Sequence, residues 1–414
     1  MEMLPAGNSL HHCAAPSEGR GARASERSER AIGDRPLDNS RIMPPPQVRD
    51  TLLRRKRWER RGVSARFLAP LAVEQADGFF RPVRPARCAW TLGQGVGIMH
   101  DGSRPAGYSG IERCGSIWAC PHCAAVIRAG RAAEIEQAVK YHQETGGSVV
   151  FFTGTLRHHQ GDQLEVTMDA ILEGWRKLTA GRPWKRIKEK YQVSGYIRSI
   201  EVTYGGNGWH PHAHVLLFLD ADINADQVEE LRPTLYELWA RAVERAGGKP
   251  PTERGLDLQK LDDDGKLLAK YLAKVQDEKQ GWSVGAEMTR ADVKQGRGGS
   301  ITPFQLLDDH PDYDEQERAR LWREFYQVSK GRRAITWSRG LKARCLIGEV
   351  TDADILDGAE ATVMVWRTTS KAYRSVLRSE PVALALALEL AEHEKWGDLA
   401  EILPRDDSPP DQRE

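Results

Sequence analysis

The stretch GWHPHAHVLLF, residues 208–218, sets His210, His212 and His214 at alternating positions and then runs into an apolar segment. In a strand, alternating side chains share one face. Two neutral imidazoles about 6–7 Å apart on one face can converge on a single divalent cation. The preceding segment GYIRSIEVTY (195–204) is rich in β-branched and aromatic residues, and Gly205-Gly206-Asn207-Gly208 reads as a hairpin turn. A hairpin centred between Gly206 and Asn207 puts Glu201 across from His212, at a cross-strand spacing of about 4.5–5.5 Å. Two imidazoles and a carboxylate make a metal site with coordination positions left for substrate and water. A polar sheet face carrying exposed histidines is the other reading. The opposite positions, Ala213, Val215 and Leu217, are apolar and suited to packing against helices.

Two more groups of residues could do chemistry. CGSIWACPHC presents Cys114, Cys120 and Cys123 within ten residues, with Cys88 upstream. The Cys-Pro-His-Cys knuckle offers two thiolates to one Zn²⁺, and Cys114 and Cys88 complete a tetrahedral set, with His122 as an alternative fourth ligand. Buried structural thiols are the plainer reading. Further on, LLAKYLAKV places Tyr271 and Lys274 on one helix face. A tyrosine hydroxyl is a poor nucleophile unless a neighbouring cation stabilises its phenolate, and Lys270 or Lys274 could do so. Leu267, Leu268, Leu272 and Val275 recur at helical spacing around Tyr271, so core packing would also account for it.

The elements that must position these groups follow from periodicity. SVVFFTGTL (148–156) reads as a strand, and DQLEVTMDAILEGWRKL (162–178) as an amphipathic helix. A helix is expected from Arg128 to about Thr145, stopped by Gly146-Gly147, and a long one from an Asn224 N-cap to Ala246. Shorter helices are expected over 265–276, within 312–329 and within 381–396. Strands interleaved with helices around an antiparallel hairpin give an α+β chain with a central sheet.

The 414 residues carry 60 basic and 59 acidic side chains, so net charge alone argues neither for nor against a nucleic-acid partner. The distribution is uneven: RRKRWERR spans Arg54–Arg61, and the stretch from Glu380 onward is acidic. The basic block reads as a solvated arm, or as a non-specific phosphate contact. No run reaches the roughly 18 apolar residues of a membrane span, and the first residues lack the pattern of a secretory signal. The expectation is a soluble cytoplasmic protein with no membrane partner. The chain divides into a disordered basic arm (1–65), a cysteine-rich knuckle and helix (66–145), a domain bearing the histidine strand and tyrosine helix (146–280), a basic accessory region (281–350) and a helical, acidic-ended region (351–414).

Taken together, CGSIWACPHCAAVI, RSIEVTYGGNGWHPHAHVLLF, AKYLAKVQ, GAEMTRADVKQGRGGSITPFQLL and GRRAITWSRGLKAR resemble the replication initiators of bacterial rolling-circle plasmids, members of the HUH endonuclease superfamily, and most of all those of actinobacteria. The resemblance covers roughly residues 85–350. It implies an HUH-type antiparallel sheet flanked by helices. It also implies Mg²⁺ or Mn²⁺ held by His212, His214 and Glu201, a catalytic Tyr271 assisted by Lys274, and structural Zn²⁺ on Cys88, Cys114, Cys120 and Cys123. His210 is expected to lie outside the ligand set, as a loop residue. The implied reaction is tyrosine transesterification on single-stranded or extruded origin DNA, leaving a 5′-phosphotyrosyl link and a 3′-hydroxyl for a host polymerase, with a host helicase unwinding. VKQGRGG and KGRRAITWSRGLKAR are expected to grip the DNA backbone. Where some relatives carry a glutamate one turn before the tyrosine, this chain has Leu267, which leaves its termination chemistry without that group. A transfer relaxase, a single-strand transposase or a non-catalytic zinc-stabilised DNA-binding regulator remain as alternatives.

Overall fold

The computed structural model describes residues 46–261, 300–358 and 361–406. The chain enters on helix α1 (Pro46–Leu68), passes a two-stranded ribbon, β1 (Val73–Glu74) and β2 (Phe80–Arg81), and makes one short turn of helix, α2 (Arg84–Arg87). Strands β3 (Gly95–Met99) and β4 (Gly107–Ser109) precede the long helix α3 (Pro121–Glu144). Then come β5 (Ser148–Gly154), α4 (Leu164–Ala180), α5 (Arg182–Lys190), β6 (Val193–Gly205), β7 (Gly208–Leu219), α6 (Ala225–Arg245) and β8 (Leu256–Lys260). After residue 300 the chain forms α7 (Glu315–Ser329), β9 (Ile335–Trp337), α8 (Leu341–Arg344) and α9 (Asp352–Gly358). It finishes with β10 (Met364–Thr369), α10 (Ser370–Ser379), α11 (Pro381–Glu392) and α12 (Trp396–Ile402).

The main sheet has five antiparallel strands in the order β8-β5-β7-β6-β9. One face is mainly apolar. Val150 and Phe152 of β5, Ile200 of β6, and Ala213, Val215 and Leu217 of β7 pack there with Trp175 of α4 and Trp239 of α6. The opposite face is split. Its lower half, Val149, Phe151, Ile197, Leu216 and Phe218, is covered by Ile135, Ala138 and Val139 of α3 and by Leu341 of α8. The upper half is left to polar residues and holds the histidines. This division answers why imidazoles sit on a strand that is otherwise built to be buried.

Local rules set most of these boundaries. Asn224 caps α6 by a reciprocal capping box with Gln227. Helix α3 begins at Pro121, earlier than expected from Arg128, because Cys120 caps it by accepting from the Cys123 amide and Pro121 fits the first turn. In the β6–β7 hairpin Gly208 has φ +81, and a Cβ there would lie 3.2 Å from both Cα and O of Gln160. Glycine thus permits the 157–160 segment to lie against the turn.

Three boundaries differ from expectation. Residues 46–65 belong to α1, not to a free arm: Trp58, Arg61, Ser64, Phe67 and Leu68 are buried at helical spacing. The basic block on this helix is largely neutralised within the molecule. Arg54 makes a two-pronged contact with Glu392 at 3.0 and 2.7 Å, Arg55 pairs with Glu389, and Lys56 and Arg60 both pair with Asp308. Within the 281–350 region, the described residues from 300 onward do not form a separate accessory body, because β9 joins the main sheet beside β6. Nor does 351–414 stand apart: β10 pairs with β3, and a second core joins Trp58, Val96, Ile98, Tyr108, Tyr373 and Leu388. The helix expected over 265–276 lies outside the described residues. No described helix is long and apolar enough to cross a membrane.

Candidate metal centres

The hairpin register places Glu201 opposite His212, Ser199 opposite His214 and Thr203 opposite His210. Both imidazole Nε2 atoms turn to one carboxylate oxygen: His214 Nε2 lies 2.9 Å and His212 Nε2 3.3 Å from Glu201 Oε2. One ligand atom from each of the three residues lies within 4.8 Å of the others. The second ring nitrogens are also engaged. His214 Nδ1 is 3.2 Å from Thr153 Oγ1, on the neighbouring strand β5, and His212 Nδ1 is 3.4 Å from the His210 carbonyl. With Nδ1 donating in each case, both Nε2 lone pairs are directed to the place where a cation shared with Glu201 would sit, and both rings are held in orientation. His214 is buried and stacks on Phe151 at 5.3 Å and 11°. The donor set, two nitrogens and a carboxylate on rigid strands, fits a divalent ion with open positions.

His210 is not a loop residue. It lies within β7, because the strand begins at Gly208, and its ring sits between His212 (5.3 Å) and His158 (4.6 Å, stacked at 15°). Burial, with His212 and His158 beside it, pushes the His210 ring down to about 3, so it is neutral at ordinary pH. His158 and Thr153 are the members of this site that sequence reasoning missed. The His158-His159 pair was visible, but nothing local ties it to His210 across the close approach at Gly208.

The four cysteines meet at the other centre. Cys88 follows α2, Cys114 follows β4, and Cys120 and Cys123 open α3. Their sulfurs lie 3.4 Å (Cys120–Cys88) and 3.7 Å (Cys88–Cys123 and Cys114–Cys123) apart, all four within 4.8 Å. The edges of a tetrahedral ZnS₄ site, with Zn–S near 2.3 Å, are about 3.8 Å. Hydrogen bonds from Cys114, Cys120 and Cys123 pull the Cys88 thiol well down, whereas those with Cys114, Cys123 and Cys88 push Cys120 up. The Cys88 thiol loses its proton readily while Cys114 and Cys120 hold theirs, so a full set of thiolates here requires a cation. Arg61 of α1 is buried beside the cluster and donates to the Cys88 carbonyl at 2.9 and 2.6 Å. His122 is not in the cluster. Its ring packs on Trp58 at 4.3 Å, and burial lowers it to about 4.

Tyr271, Lys274, Leu267 and the segment VKQGRGG lie outside the described residues. Cys345 is buried apart from the cluster, against Leu341 and Ile347.

Fold and sites together define an α+β protein carrying, on one chain, a carboxylate–histidine group and a four-cysteine group, each able to hold a metal ion. Residues 114–362 match the family described as "Replication protein", and the chain belongs to that family. It is 33% identical over 309 residues to a "Protein rep" of Streptomyces lividans, covering 60% of this chain and 67% of the relative. It is 35% identical over 136 residues to a "Neomycin resistance protein" of Streptomyces cyanogenus, covering 27% and 31%. A "Protein rep" of Bacillus amyloliquefaciens is 30% identical over 112 residues, covering 26% and 30%. The chain thus spans about two thirds of the first relative and under a third of the other two. No solved structure matches.

Proposed function

We propose that this protein initiates plasmid replication by nicking one strand of origin DNA, with Tyr271 as nucleophile. The observation that carries the reading is the convergence of Glu201, His212 and His214 on the polar half of a sheet, in a chain of the replication protein family. Mg²⁺ or Mn²⁺ fits that donor set and, when bound, supplies positive charge to the scissile phosphate. Thr153 and the His210 carbonyl hold the two imidazoles in orientation. The Tyr271 oxygen forms a bond to phosphorus while the bond from phosphorus to the 3′-oxygen breaks. The phenol gives up its proton and the departing 3′-oxygen gains one. The products are a 5′-phosphotyrosyl link and a free 3′-hydroxyl, which conserves the phosphodiester bond energy without a nucleotide cofactor. Lys274, three residues on in the sequence, offsets the charge of the phenolate.

In this reading the 3′-hydroxyl primes a host polymerase in the cytoplasm while a host helicase opens the duplex. The four-cysteine cluster holds Zn²⁺ and ties α1, α2 and α3 together without taking part in the reaction. A transfer relaxase or a single-strand transposase would use the same chemistry; the family favours replication.

The test is Tyr271→Phe with a single-stranded origin oligonucleotide and Mn²⁺. The variant should bind as wild type does, but lose nicking and the denaturant-resistant protein–DNA adduct. If the wild-type protein forms no such adduct on any origin oligonucleotide, the enzymatic reading fails and a zinc-stabilised DNA-binding regulator replaces it.

A further inference from the structure

A cavity of about 1160 Å³ opens between the cysteine knuckle and the edge strand β9. Nine lysines and arginines line it against two acids. Both acids are already engaged, Asp352 by Arg131 at 2.6 Å and Glu349 by Lys342 at 3.9 Å. Other cations of the lining are held as well, Arg87 by Glu112 and Arg332 by Asp169. Four are not. Arg84, Lys330, Arg333 and Arg339 are exposed and form no ion pair among the described residues. A concave wall with several uncompensated cationic groups builds a positive potential that draws anions and suits phosphate.

The position of the groove matters as much as its charge. Strand β9 lies beside β6, with Ile335 opposite Ser199, and the Ala334 carbonyl accepts from the Ile200 amide at 2.9 Å. Arg333, the next residue outward, is therefore level with Glu201 along the sheet. A ligand lying in the groove passes next to the strand that carries the carboxylate of the metal centre.

The aromatic rings of the lining decide what kind of nucleic acid fits. Trp118 is buried and its indole donates to the Arg332 carbonyl at 2.7 Å. Trp337 is half-buried, with the Lys342 ammonium 5.4 Å from its ring centroid. Neither ring is presented as a platform on which an unpaired base could stack, which is how single strands are commonly held. What the groove offers is phosphate contact, which positions a duplex without reading its bases.

We propose that this groove holds the sugar–phosphate backbone of duplex DNA beside the Glu201–His212–His214 centre. Its role in delivering the strand to be cut rests on the nicking reading; duplex binding does not. The molecule has a second cationic surface, helix α5, where Arg182, Lys185, Arg186 and Lys188 are exposed. That helix packs through Trp184 and Ile187 into the core on the other face of the sheet, away from the metal centre. It therefore serves as the comparison.

The experiment titrates the full-length protein with a labelled duplex and follows anisotropy at several salt concentrations. Arg333→Gln/Arg339→Gln should weaken binding about 50-fold at ~0.1 M salt and lower the slope of log affinity against log salt by about 2. Arg333→Lys/Arg339→Lys should keep most of the affinity, and an unchanged melting midpoint reports an intact fold. Lys185→Gln/Arg186→Gln should bind duplex as wild type does. The proposal is overturned if the groove variant binds duplex normally, or if the α5 variant suffers the loss instead. It is also overturned if the groove variant loses single-strand affinity as much as duplex affinity, which would make a single strand the occupant. Nicking of a short single-stranded oligonucleotide should survive in the groove variant. If wild type itself fails to nick, the catalytic reading falls while the duplex titration still decides the groove.

Discussion

The ion pair between Arg54 and Glu392 tests whether the basic block is a DNA contact or part of the framework. The guanidinium reaches the carboxylate through two hydrogen bonds of 3.0 and 2.7 Å, and the Ala106 amide donates to the same carboxylate at 2.7 Å. The side chains are only 18% and 21% exposed. Glu392→Gln keeps the volume and one acceptor oxygen but removes the charge. A hydrogen bond to a charged group contributes about 1.5–3 kcal/mol when sheltered. With the partial solvent screening here, the expected loss is about 2 kcal/mol in total. At the lower end of about 2–4 °C per kcal/mol for large domains, the melting midpoint should fall by about 4 °C. Arg54→Gln should destabilise similarly, and the double variant should recover about 1 kcal/mol, since two residues in contact do not add. Affinity for DNA should stay within about twofold of wild type, because a cation already held by a carboxylate releases few counterions from DNA. The assay is scanning calorimetry of the four proteins alongside DNA titration. If Arg54→Gln melts as wild type does while binding DNA about tenfold more weakly, the assignment of this block to the framework is wrong.

Three further outcomes are expected. Glu201→Gln should weaken Mn²⁺ binding, read by electron paramagnetic resonance, at least as much as the 10–100-fold that loss of an outer-shell partner costs; Thr153→Ala should cost about tenfold. Cys120→Ser should lower zinc content, by elemental analysis, from one ion per chain towards zero, and should remove the effect of chelators on melting. The acid limb of stability should follow Glu392 and Asp308. Burial opposes their charge, but Arg54 for Glu392, and Arg60 with Lys56 for Asp308, outweigh it and hold both below the ordinary carboxylate range. Their contribution is therefore complete above about pH 4.5 and is lost as pH falls through the lowered folded values. A melting midpoint that does not change between pH 5 and 3 would contradict this.

Features encoded over short distances were legible in the residues. The turn at Gly205–Gly208 was enough to place Glu201 opposite His212, because a tight turn fixes register. Asn224 was enough to start α6. The alternation of Ala213, Val215 and Leu217 identified the face that packs on helices. What was not legible depends on partners far apart in the chain. The acidic character of the stretch from Glu380 was plain, and so was the basic block at Arg54–Arg61. That Glu389 and Glu392 face Arg55 and Arg54 leaves no local pattern to read. The pairing of β10 with β3 hides for the same reason. The His158–His210 stack needed the backbone approach that Gly208 permits, which only the folded chain reveals.

The seating of α1 against α11 has a consequence for how the molecule is made. Arg54 and Glu392 are 338 residues apart in sequence, yet they share one contact. At about 5–20 residues per second, the ribosome takes on the order of 20–70 s to supply the second partner after the first. During that interval Trp58 lacks part of its core, and the arginines of α1 have no carboxylates from α11. High-separation contacts of this kind form late. Seating of α1 in the second core is therefore gated by synthesis of α11, so a product terminated before Glu392 should be cleared as an incompletely folded polypeptide even though its metal-centre strands are already synthesised.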